Sequence, residues 1–187
     1  MICLAGVSLL LSGCLLPSPI EEGQPFENSY PVILPNQLSP NPTVRPVKIL
    51  YVDCPEYRFR ASVIDPDAED EIFWRFFINY DQDNDPFAEN VSSIPPVEND
   101  PSAQVIGFAV ATDDTRFSFR RPTPEQLFQE PHTVELLVSD RPFSPPEDER
   151  DPLGRAVQKD GLTAHFIWTI QLSDDPKTPE ECTGGSG

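Results

Sequence analysis

The chain has 187 residues, with 31 Asp and Glu against 13 Lys and Arg, a formal charge of −18, 23 prolines and four cysteines. So acidic a surface repels phosphate backbones and anionic head groups, which excludes nucleic acid as an expected partner. Only two histidines occur, His132 and His165, and no nucleophile elbow, zinc-protease helix, phosphate-binding glycine loop or dinucleotide fingerprint is present, so no enzymatic activity is expected.

Residues 1–13 carry no charge and hold an apolar run from Ile2 to Leu11, which Pro17 and Pro19 close well short of the roughly 20 residues a membrane span needs. This is the pattern of a secretory leader. Its end, Leu11-Ser12-Gly13-Cys14, resembles the lipobox of bacterial lipoproteins. The resemblance implies cleavage before Cys14, lipid on that cysteine and anchorage in the cell envelope, with the outer membrane favoured because Leu15 stands where the inner-membrane retention signal has Asp. The leader lacks the usual Lys or Arg ahead of its apolar core, so the true start is expected upstream of Met1. Cys3 would leave with the leader and Cys14 would carry lipid. Cys54 and Cys182 then remain, and in an oxidising compartment they are expected to pair.

Residues 14–46 form the expected tether. From Leu15 to Pro46 the chain holds eight of its 23 prolines, which favours an extended, semi-rigid spacer. Tyr30 to Leu34 could alternatively lie on the following domain as an ordered arm.

From residue 47 to 173 the apolar residues recur with a period of two, the signature of strands. Val47–Val52 is the first run. Tyr57, Phe59, Ala61 and Val63 make the second, ending at the turn Asp65-Pro66-Asp67. Ile72, Trp74, Phe76, Ile78 and Tyr80 make the third, with Phe73 and Phe77 on its other face, which predicts a central strand. After a polar stretch from Asp81 to Ala103, two strands are expected at Gln104–Ala111 and Arg116–Arg120, then a helical turn over Glu125–Gln129. The last strands are His132–Asp140 and Leu162–Leu172, separated by a Pro-rich charged loop. Residues 174–187 read as an acidic, Gly-rich tail.

These elements predict an all-β fold, a two-sheet β-sandwich of about seven strands. The run Phe59 to Asp67, Trp74 in the next strand, and His132 to Asp140 resemble immunoglobulin-like modules of bacteria, the polycystic-kidney-disease and cadherin-like repeats. The resemblance implies an immunoglobulin-like sandwich. The loops after Val63 and Val138 then leave the same end, so that Asp65, Asp67, Asp70 and Asp140 can converge as oxygen ligands for calcium. The bland alternative is that the Asp-Pro-Asp turn caps its own amides. Asp81-Gln82-Asp83-Asn84-Asp85 begins like an EF-hand loop, but Pro86 replaces the turn glycine and Ser92 the bidentate Glu, so a solvated loop is expected. The strand aromatics are expected in the core, both histidines at the surface or at strand ends, and Phe87 and Phe143 either as exposed anchors or under a folded loop. The functional expectation is a lipid-anchored, non-catalytic binding or structural module whose partner is an envelope protein or glycan. A calcium-dependent adhesive module is the alternative, and an envelope hydrolase a more distant one.

Overall fold

The computed structural model describes residues 28–67, 69–80, 89–95, 103–119, 123–144, 154–178 and 182. Within these residues, alternating side chains build strands β1 (Val32–Ile33), β2 (Val47–Tyr51), β3 (Glu56–Ile64), β4 (Ile72–Ile78), β5 (Glu89–Ile94), β6 (Gln104–Ala111), β7 (His132–Ser139) and β8 (Thr163–Ser173). Two short helices, α1 (Thr115–Phe119) and α2 (Pro124–Gln129), lie between β6 and β7. The strands form two separate sheets, one of order β1-β3-β6 and one of order β2-β8-β7-β4-β5.

This architecture corrects the expectation of an all-β, immunoglobulin-like β-sandwich of about seven strands. The fold is mixed α and β, with open sheets of three and five strands. Alternation reveals that a segment is a strand, but strand order depends on long-range pairing that alternation does not encode. The first and last long strands illustrate this: β2 runs parallel to β8, Val47 opposite Thr169 and Tyr51 opposite Ser173.

Two local differences have local causes. Residues 115–119 alternate like a strand yet form α1, because Asp114 Oδ1 accepts the Arg116 amide at 2.9 Å and so supplies a helix-start acceptor. Strand β5 lies in the polar stretch where none was expected. It is an edge strand, and such a strand needs no continuous apolar face. Helix α2 matches the expected turn: Pro124 takes its first turn, and the Thr123 hydroxyl accepts the Gln126 amide at 3.2 Å.

The apolar faces of the two sheets share one core. Phe108 of β6 stacks on Phe59 of β3 (5.5 Å between centroids) and on Phe76 of β4 (4.6 Å). Trp168 of β8 meets Phe59 edge-on at 5.2 Å, and its indole N–H donates to the Pro40 carbonyl. Trp74, Phe76 and Trp168 are thus core residues, with Phe166 packed at the margin. Part of the expected tether belongs to the same body. Val32 and Ile33 pair with Ile64 and Val63, Ser39 bridges to Arg60, and Leu38 is buried, so Tyr30–Leu34 is an arm laid on the domain.

The five-stranded sheet is covered on part of its second face as well, over β4 and β7. Phe77 of β4 and Leu137 of β7 pack under Phe143 from the loop after β7, with Phe73, Tyr80 and Val157 around them. That loop also brings Arg155 onto Glu135 with two bonds of 2.7 Å each, and sets the ring of Phe143 against the Arg75 guanidinium of β4. Strand β4 is therefore apolar on both faces, as its sequence predicts, although β7 occupies the middle position of the sheet. Cys54 and Cys182 form a disulfide with a Cα separation of 5.4 Å.

Candidate functional site

Where β3 leaves its sheet, the chain must turn toward β4, and Asp65-Pro66-Asp67 does this through an Asx turn. Asp65 Oδ1 accepts the Asp67 amide at 2.9 Å, and the Asp70 amide then donates to the Asp67 carbonyl. The tight turn folds three side chains together. Carboxylate oxygens of Asp65, Asp67 and Asp70, one from each, lie within 4.8 Å of one another.

Each carboxylate meets a different neighbour. Asp67 Oδ2 accepts the Ser29 amide at 2.7 Å, and Asp70 Oδ2 pairs with the Arg141 guanidinium at 2.7 Å. The second oxygen of Asp65 is buried and finds no hydrogen-bond partner among the described residues. Burial raises the Asp65 pKa to about 6; the Asp67 amide bond opposes the rise, and the carboxylates of Asp70, Asp67 and Asp140 add to it. Arg141 is shifted upward, first by its hydrogen bond to Asp70; burial opposes the shift, and the charges of Asp70, Asp140 and Asp65 add to it.

Asp140, which follows β7 and was expected to complete the ligand set, is not one of the three clustered carboxylates. Its two oxygens are engaged elsewhere: Oδ1 accepts the Leu162 amide at 2.7 Å and Oδ2 accepts the Asn28 side-chain amide at 2.6 Å. It therefore acts on the cluster through its charge. Arg141, Asn28 and Ser29 were not singled out from the sequence. Arg141 directly follows Asp140 and so was within reach of such an argument, whereas nothing local marks Asn28 or Ser29.

The chemistry available here is that of hard oxygen donors. Asp65, Asp67 and Asp70 can coordinate a divalent cation, for which clustered carboxylates are the usual protein ligands.

The other candidates resolve differently. His132 stands at the start of β7, the expected strand-end position, but it is wholly buried and not at the surface. Its Nε2 lies 2.8 Å from the Leu127 carbonyl and so donates, while Nδ1 faces the Asn79 side-chain amide at 2.8 Å and accepts. Asn79 holds its own orientation by accepting the Thr133 amide, so the imidazole is a bracket between β4, β7 and α2. His165 is exposed. Phe143 lies under its own loop, while Phe87, the Asp81–Asp85 run and Cys14 fall outside the described residues.

Among the described residues no helix is long and apolar enough to cross a membrane. Compared with known proteins, the chain matches no family model and no curated protein.

Proposed function

We propose that this protein is a non-catalytic binding module of the bacterial cell envelope, lipid-anchored through Cys14, whose working end is a calcium site formed by Asp65, Asp67 and Asp70. The observation that carries the reading is the convergence of three carboxylates, one oxygen of each within 4.8 Å of the others, together with a buried Asp65 oxygen that has no hydrogen-bond partner among the described residues. Such an oxygen is costly to ionise without a counter-charge, and a divalent cation supplies one. Calcium fits better than magnesium because a loop contributing irregular oxygens suits its larger, flexible shell of six to eight ligands at about 2.3–2.6 Å.

The anchor rests on the Leu11-Ser12-Gly13-Cys14 motif and the uncharged apolar leader before it. An acylated cysteine would hold the chain at a membrane while the folded domain stays outside the bilayer.

Titration calorimetry with calcium chloride, beside Asp65→Asn and Asp67→Asn variants, tests the site. Saturable heat in the parent protein that disappears in both variants is expected. No heat in the parent, or heat unchanged by the substitutions, overturns the site. For the anchor, mass spectrometry of the protein from a bacterial host should find a diacylated Cys14 at the N-terminus, and an unmodified leader would overturn it.

A further inference from the structure

The three-stranded sheet ends in β6, an edge strand with the sequence Gln-Val-Ile-Gly-Phe-Ala-Val-Ala. Exposed edges are normally blunted by charged side chains, proline or a bulge. This one carries no charge and no proline, and it pairs with β3 without a register break over all eight of its residues, from Glu56 opposite Ala111 to Val63 opposite Gln104.

The direction of its free groups follows from the pairing on the far side of β3. Arg60 exchanges both backbone bonds with Ser39, and the Ser62 carbonyl accepts the Leu34 amide, so these residues point their peptide groups away from β6. In an antiparallel ladder such residues alternate with those bonded to the other neighbour. Tyr57, Phe59, Ala61 and Val63 therefore bond to Val110, Phe108, Ile106 and Gln104. The N–H and C=O groups of Val105, Gly107 and Ala109 are left facing outward at the edge, where no strand lies beside them among the described residues.

The same residues show their small side chains on the outer face, where Val105 is 62% exposed. Beside them on β3 stand Arg58 and Arg60, both exposed, opposite Ala109 and Gly107. Gly107 leaves room there: a Cβ on it would lie 3.9 Å from Arg60 Cγ, so the arginine stem already runs along the glycine. Arg58 has Glu56 at 3.6 Å in a solvent-exposed pair, which is a weak competitor for its charge.

We propose that β6 is a docking edge for an extended acidic segment of another protein, which adds a fourth strand and sets Asp or Glu side chains against Arg58 and Arg60. The backbone groups of Val105, Gly107 and Ala109 supply affinity, as in other strand additions, and the arginines supply selection. Strands stand about 4.8 Å apart, so an added strand lies about 10 Å from β3. An arginine reaching over Gly107 or Ala109 crosses the nearer gap, and a glutamate from the new strand crosses the other. A second copy of this chain fits less well, because its own β6 edge carries no Asp or Glu to set against Arg58 and Arg60.

The test is amide hydrogen exchange, read by NMR on the full chain, with a synthetic peptide alternating valine and glutamate and a control alternating valine and lysine. The glutamate peptide is expected to protect the amides of Val105, Gly107 and Ala109, and the lysine peptide to leave them unchanged. Ala109→Pro removes an outward donor without touching the ladder to β3, and should weaken binding about fivefold to tenfold. Arg58→Glu combined with Arg60→Glu should reverse the preference between the peptides. Protection by neither peptide, equal protection by both, or protection that grows with protein concentration in the absence of peptide each overturns the proposal.

Discussion

Arg141 donates to Asp70 at 2.7 Å, so the acidic cluster at the end of β3 already contains a cation of its own, carried on the residue after Asp140. A metal ion entering between Asp65, Asp67 and Asp70 competes with that guanidinium. Arg141→Gln is therefore expected to strengthen calcium binding by about threefold, the scale of a partly exposed ion pair. Titration calorimetry checks it, and weaker binding in the variant would show that Arg141 supports the site.

Asp65 gives the cluster a pH dependence. Its folded pKa of about 6 lies above the ordinary value, so the folded state holds this proton more tightly than the unfolded state does. The resulting stability is fully present below about pH 4 and is lost as pH rises through about 6. Urea unfolding of the parent should show this decline, and Asp65→Asn should flatten it. Calcium requires the ionised carboxylate, so its affinity should rise over the same interval.

The Cys54–Cys182 disulfide joins residues 128 positions apart and ties the segment before β3 to the end of the chain. Closing a loop of that length restricts the unfolded chain, which corresponds to about 4–5 kcal/mol in the chain-entropy model. Cys54→Ser should lower the unfolding free energy by an amount of this order. A thiol assay on the unreduced, denatured parent should find neither Cys54 nor Cys182 free.

The outer layer over β4 and β7 predicts two different losses. Phe143→Ala opens a cavity above Phe77 and Leu137 and should cost about 3 kcal/mol. Arg155→Met removes the two-pronged partner of Glu135 and leaves a buried carboxylate, again costing about 3 kcal/mol at neutral pH. Tryptophan-monitored urea unfolding of the two variants beside the parent checks both losses.

The sequence by itself determined most of the strands. Period-two alternation in segments such as Tyr57–Val63 and Val134–Val138 is a local property, and the side chains it places on one face become the core. It also placed the Asp-Pro-Asp turn and, through cysteine arithmetic, the pair Cys54 and Cys182. Where neighbours compete with local pattern, the sequence misled. Asp114 turned an alternating run into α1, and the brackets from Asn79 and Leu127 took His132 into the interior. Only the tertiary structure decided the strand order, with β2 parallel to β8 and β6 left at an edge, because pairing joins residues far apart in the chain. It likewise decided that Arg141 and Ser29, rather than Asp140 alone, close around the carboxylates. A carboxylate's surroundings are set by whichever loops the sheets bring to the same end, and no local spacing records that.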